Sequence, residues 1–206
     1  MTRKKVGVLI SGRGSNMQAL CEAAKDPAYP AEIVLVASNK EDAGGLEIAR
    51  GYGAETFALD HRPFGKNREA HEREMDAALR AHGVEIVALA GYMRVLSPWL
   101  VAQWQGRMIN IHPSLLPLFP GLHTHQRALD AGMKLAGCTV HLVSEGVDEG
   151  PILGQAAVPI LPGDDEAALS ARVLKAEHRL YPACLAALAS GKHWVETDAA
   201  ASLISV

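Results

Sequence analysis

Cysteine is scarce in this sequence. Cys21, Cys138 and Cys184 are far apart and odd in number. No CxxC pair or zinc-ligand spacing joins them, which excludes a disulfide framework and a structural zinc site as organising features. They read as small core residues of a protein kept in a reducing cytoplasm. Long apolar runs are missing too: none approaches the roughly 18 residues that a membrane-spanning helix needs. The opening Met1-Thr2-Arg3-Lys4-Lys5 resembles the basic start of a secretory signal. The apolar stretch behind it, Val6–Ile10, stops at Ser11-Gly12 and is too short for a signal core.

Basic runs are also lacking. Lys and Arg total 20 against 23 Asp and Glu, a net charge of −3. The bulk field therefore draws the protein to neither nucleic acid nor an anionic membrane, and an anionic small substrate needs a local site. There is no internal repeat and no linker rich in Pro, Gly or Ser. Nine histidines, with His123 and His125 as an HxH pair, come without an HExxH or a matched cysteine set, so no metal is expected.

What is present is a chain of 206 residues, 49% apolar and 21% charged, enough to bury one sizeable α/β core. Short apolar runs alternate with helical patterns. Strands are expected at Val6–Ile10, Ile33–Ser38, Thr56–Leu59, Ile86–Ala90 and Met108–Ile111. Helices are expected at Asn16–Ala24, Gly45–Gly51 and Arg68–His82, with a short one after Ser97 that carries Trp99 and Trp104 as packing residues. This alternation predicts a Rossmann-like open sheet, mostly parallel, with helices on both faces. Strand patterns at Thr139–Val143 and Gln155–Ile160 have little helix between them and predict an antiparallel C-terminal extension. A long helix follows over Asp164–Ser190, kinked or broken at Pro182. The Ala199–Ser202 tail lacks pattern and is expected to be loose.

Two constellations carry chemistry. The first strand runs into Ser11-Gly12-Arg13-Gly14-Ser15-Asn16 and then a helix. Glycines let the backbone approach an anion, and the helix start offers free N–H groups, so Gly14, Ser15 and Asn16 read as a phosphate site. Met17 stands where a full dinucleotide fingerprint has glycine, so a monophosphate fits better. In the second constellation, Asn110 and His112 are two apart on a strand and share a face near its end. Such a pair is costly on an apolar strand unless it is used or satisfied. By spacing alone, an internal Asn–His pair remains open, and Asp148 in its Gly-bounded loop reads as a solvated carboxylate.

The run Asn110-Ile111-His112-Pro113-Ser114-Leu115-Leu116-Pro117, with Gly121, resembles the catalytic segment of the formyl-folate transferase family. Gly137–Leu153 is similar to that family's signature, with Asp148 on its aspartate. Val8–Asn16 is similar to the opening of the branch acting on glycinamide ribonucleotide. Gly91–Ser97 resembles the folate-contacting segment, and Glu177-His178 with Tyr181-Pro182 the late helix. The matches run in family order from about residue 6 to residue 182.

The resemblance implies formyl transfer from 10-formyltetrahydrofolate, as co-substrate, to the amine of a phosphoribosylglycinamide in purine synthesis. Asn110, His112 and Asp148 are implied as catalytic: Asn110 meets the oxyanion, His112 donates a proton, and Asp148 holds His112 charged. Glu177 joins Gly14, Ser15 and Asn16 at the acceptor, and Leu174 replaces a glutamine found in some relatives, with Lys175 beside it. Arg68, Met93, Arg94, Val95, Leu96, Asn110, Ser144, Glu145, Gly146, Val147 and Asp148 are implied to bind folate, with Ser144–Asp148 closing over the pterin. His141, near Asp148 in the chain, reads as a satisfied strand residue, with contact to the site left open.

The expected organisation is a single domain over 1–206, with a phosphoribosyl-binding half (1–100) and a catalytic and folate-binding half (101–206). It is expected to be monomeric or a homodimer, with small-molecule partners and neither nucleic acid nor membrane. A 10-formyltetrahydrofolate hydrolase and a methionyl-tRNA formyltransferase are disfavoured, because the chain shows neither the N-terminal regulatory domain of the one nor the C-terminal domain and basic contacts of the other. A non-catalytic nucleotide-binding domain on the same scaffold is disfavoured by the intact Asn110, His112 and Asp148.

Overall fold

The computed structural model describes residues 2–192. The Ala199–Ser202 tail lies outside them. Seven strands form one sheet: β1 (Lys4–Ile10), β2 (Ala31–Ser38), β3 (Glu55–Ala58), β4 (Ile86–Leu89), β5 (Met108–His112), β6 (Leu135–Leu142) and β7 (Ile152–Pro159). Their order is β3-β2-β1-β4-β5-β6-β7. Pairing is parallel from β3 to β5 and antiparallel from β5 through β6 to β7. The helices are α1 (Ser15–Ala23), α2 (Gly45–Gly51), α3 (Arg68–Ala81), α4 (Pro98–Gln103), α5 (Thr124–Asp130) and α6 (Glu166–Ala189).

The central strands are apolar throughout because both faces are covered. Successive β1 residues bury themselves in opposite layers. Val6, Val8 and Ile10 join Met17, Leu20, Ile109, Leu169 and Tyr181 beneath α1, α2 and α6. Leu9 joins Leu35, Met75, Leu79, Val87, Leu100 and Trp104 beneath α3 and α4. Local signals set the helix starts. Asn67, Ser97 and Asp165 each accept a backbone N–H three residues on, and Pro98 opens α4. Trp104 is fully buried and donates its indole N–H to Asp76 at 2.8 Å.

Two elements depart from the sequence reading. Pro182 does not break the last helix, which runs unbroken from Glu166 to Ala189. Leu169, Val173, Ala176 and Glu177 before the proline, and Cys184 and Leu185 after it, are all buried. Burial on both sides compensates for the missing proline N–H. The second is α5, which no sequence pattern announced. It is entered through His123 in the left-handed region (φ 57°) and buries only Thr124 and Ala128. In addition, β6 begins at Leu135, four residues earlier than the pattern showed.

Candidate active site

The first part of the site forms where β1 runs into α1. Gly14 precedes the helix at φ 72°, a conformation that costs other residues. A Cβ there would lie 2.9 Å from Met17 Cε and 3.2 Å from Gly45 Cα, a tight fit on top of the strained φ. No side chain caps α1, leaving its first N–H groups and the positive end of the dipole for an anion. Asn16 turns its Nδ2 to Glu177 Oε2 at 2.7 Å, across from α6. Its Oδ1 is buried and has no hydrogen-bond partner. Burial pushes the Glu177 carboxyl above the usual glutamate value, outweighing the opposing bond from Asn16. Leu174 and Lys175 lie one turn earlier on α6, with Lys175 exposed.

The second part sits on β5 and the loops beside it. Asn110 and His112 share the face expected of them. The carboxylate of Asp148 reaches this face from the loop between β6 and β7, its Oδ2 3.3 Å from His112 Nδ1. Asp148 adopts φ 59°, in the left-handed region that aspartate and asparagine tolerate better than most residues. Its Oδ2 also accepts the Gly121 N–H at 2.9 Å. The other ring nitrogen of His112, Nε2, faces the Phe119 carbonyl at 3.0 Å. Both neighbours are acceptors, so the ring donates to both only with a proton on each nitrogen.

His141 is the residue that sequence reasoning undervalued. It pairs with Asn110 across the β5–β6 ladder, and its Nε2 lies 3.2 Å from Asn110 Nδ2 and 3.7 Å from Asp148 Oδ1. It thus faces one donor and one acceptor, and its protonation decides which it serves. Gly150 makes this approach possible, since a Cβ there would run into the Leu142 carbonyl and crowd His141. Burial pushes the Asp148 carboxyl up, but His141, the Gly121 N–H and His112 together outweigh it and hold the carboxyl below the usual aspartate value.

The remaining predicted residues form a rim. Met93–Leu96 follow the end of β4, with Met93 and Val95 strongly exposed and Arg94 and Leu96 half-buried. The Met93 N–H donates to Ser11 Oγ at 2.8 Å. Arg68 opens α3, is exposed, and donates to the Val95 carbonyl at 3.2 Å. In the β6–β7 loop, Glu145 and Val147 are exposed while Ser144 and Gly146 are half-buried. Met93, Val95 and Val147 are exposed apolar side chains set among the charged Arg68, Arg94 and Glu145.

The fold is a doubly covered, mostly parallel α/β sheet with an Asn–His–Asp cluster at the end of β5, and residues 4–185 match the profile described as "Formyl transferase". The chain belongs to that family. A solved phosphoribosylglycinamide formyltransferase from Brucella melitensis is 60% identical, with a TM-score of 0.88 and 92% of this chain matched to 97% of that one. The phosphoribosylglycinamide formyltransferase of Escherichia coli is 45% identical over 94% of this chain and 91% of its own length. The trifunctional purine biosynthetic protein adenosine-3 of Drosophila pseudoobscura pseudoobscura is 54% identical, but the chain spans only 14% of it.

Proposed function

We propose that this protein transfers the formyl group of 10-formyltetrahydrofolate to the amine of 5-phosphoribosylglycinamide, giving formylglycinamide ribonucleotide and tetrahydrofolate in de novo purine synthesis. The observation that carries this reading is the convergence of Asn110, His112 and Asp148, with Asp148 Oδ2 3.3 Å from His112 Nδ1. The phosphate of the acceptor is assigned to Gly14, Ser15 and the free N–H groups of α1. The orphaned Oδ1 of Asn16 fits a hydroxyl donor from the ribose, and Glu177 braces Asn16 for that contact.

The 10-formyl carbon is the electrophile that the co-substrate supplies. When the amine attacks it, Asn110 offers an amide N–H to the developing oxyanion. One such donor contributes about 10²–10³ in rate. His112, kept charged by Asp148, turns its Nδ1–H from that carboxylate to the reacting atoms as the substrates enter, offering a second donor and delivering the proton to the leaving folate nitrogen, while its Nε2–H stays on the Phe119 carbonyl. The proton shed by the attacking amine balances the one delivered, with Asp148 and His141 placed to hold it in transit. Met93, Arg94, Val95 and Leu96 line the pterin on one side, and Ser144–Asp148 cover it. Arg68 is assigned to a carboxylate of the folate tail.

The two substrates draw on both halves of a single domain: Glu177 of 101–206 serves the acceptor and Met93–Leu96 of 1–100 the folate. Three free buried cysteines fit a reducing cytoplasm, and we assign the protein there, as monomer or homodimer. Among the described residues no helix is long and apolar enough to cross a membrane.

A spectrophotometric assay of 10-formyltetrahydrofolate consumption, with and without phosphoribosylglycinamide, tests the proposal. Folate product that appears only with the acceptor supports it. Equal release without acceptor makes the protein a hydrolase, and no release removes the catalytic reading.

A further inference from the structure

Three parallel strand ends meet beside the site. Ser11 follows β1, Asn39 follows β2 and Gly91 follows β4, and β1 lies between the other two strands. Ser11 is bonded to both sides. Its backbone N–H donates to the Gly91 carbonyl at 3.1 Å, and its hydroxyl accepts the Met93 N–H at 2.8 Å. That hydroxyl has one proton, which goes to Asn39 Oδ1 at 2.5 Å. Asn39 is held in turn by His61, whose Nδ1 lies 3.2 Å from Asn39 Nδ2 and 2.9 Å from its carbonyl oxygen. Ser11 and Asn39 are almost fully buried, 5% and 1% exposed, whereas Met93 is 66% exposed.

This contrast is informative. Met93, at the exposed start of the strip, has little packing to hold its backbone, and burying two polar side chains beneath it costs free energy unless their bonds are made. Ser11 is also the first residue of the turn that ends at Gly14 and leads into Ser15 and Asn16 of α1. One hydroxyl therefore ties the strip from Met93 to Leu96 to the base of the phosphate loop.

We propose that Ser11, oriented by Asn39, is a positioning residue for the folate co-substrate: it fixes the Met93 backbone, and through it the strip against which the pterin lies. This rests on the formyl-transfer reading above. Ser11 touches no reacting atom, so its loss weakens binding of one substrate and leaves the chemical step intact. Removing the hydroxyl also strands the Met93 N–H and Asn39 Oδ1 together, so both lose their order at once.

The test is steady-state kinetics on the intact protein, varying 10-formyltetrahydrofolate and phosphoribosylglycinamide separately, for S11A, N39A and the double variant. S11A is expected to raise the folate KM about tenfold, with kcat and the acceptor KM within about twofold of the unaltered protein. N39A is expected to act in the same direction. The double variant should be no worse than the poorer single one, because residues in one network do not add. A folate KM unchanged in S11A, additive effects in the double variant, or a parallel rise in both KM values overturns the proposal. A second measurement needs no variant. Amide exchange in the unaltered, ligand-free protein should show the Met93 N–H protected at least about tenfold over an unstructured amide, and rapid exchange there overturns the proposal even if the variants do not fold. An unaltered protein that transfers no formyl group overturns the functional reading itself, and the inference falls with it.

Discussion

Asp148 stands with one carboxylate oxygen 3.3 Å from His112 Nδ1 and the other 3.7 Å from His141 Nε2. A single carboxylate thus faces two imidazoles, from β5 and β6, and gains a backbone N–H from Gly121 as well. Each contact favours the ionised acid, which is the form able to keep a proton on His112.

Asp148→Asn tests that role with little disturbance of the backbone, because asparagine tolerates the same positive φ. Turnover should fall by about 10²–10⁴, the usual worth of general acid–base catalysis, with both KM values changed less than about threefold. The variant should also lose stability at neutral pH. The folded-state pKa of Asp148 is depressed, so its contribution is present above the unfolded value of about 3.9 and lost as pH falls through the lower folded value. Thermal melts of the two proteins should therefore converge below about pH 4. Turnover within threefold of normal would remove Asp148 from the mechanism.

Asn110→Ala removes the proposed oxyanion donor. We expect kcat to drop about 10²–10³ while substrate binding is largely kept. Binding of a non-reactive folate analogue, followed by fluorescence, separates the two effects. A loss confined to affinity assigns Asn110 to binding alone.

Glu177→Gln probes the buried acid of the proposed acceptor site. Burial raises the folded-state pKa of Glu177 above its unfolded value, so its stabilising contribution is complete below the unfolded value and disappears as pH rises through the folded one. Glutamine can still accept the Asn16 N–H and carries no charge. The melting temperature of E177Q minus that of the unaltered protein should grow from pH 4 to pH 8. A difference that stays flat or shrinks contradicts a buried, reluctant carboxylate.

Gly14→Ala places a methyl group against Met17 and Gly45 on a backbone at φ 72°. The cost should be about 1–3 kcal/mol in stability. The acceptor KM should rise at least fivefold and the folate KM stay unchanged. Equal damage to both would show that the loop does not belong to the acceptor alone.

The sheet was legible because its central strands are short, apolar and separated by helical patterns, and α2 was legible to the residue. Asn110 and His112 could be paired from their spacing, since a strand repeats every two residues. Asp148 could not, because nothing local ties a loop aspartate to a distant strand, and only the family resemblance placed it. His141 was missed as a neighbour of Asn110 because contact required the antiparallel register of β5 and β6, which spacing along the chain does not encode. α5 escaped because it is short and turns only Thr124 and Ala128 inward. Pro182 misled because the rule for an isolated helix yields to burial on both sides. The Ser11–Asn39 bond had a usable signal: each residue directly follows an apolar strand run, and neighbouring parallel strands bring such positions together.

The bond from Asn16 to Glu177 and those from the Tyr181 hydroxyl to the carbonyls of Leu89 and Ile109 all leave one face of α6 for segments synthesised far earlier. A chain emerging from the ribosome therefore carries Asn110, His112 and Asp148 before it can brace the β1–α1 turn proposed to hold the acceptor. Competence for both substrates should arrive abruptly, only when the final helix has cleared the exit tunnel and docked. Nascent chains stalled short of α6 should thus be unable to retain the sugar phosphate.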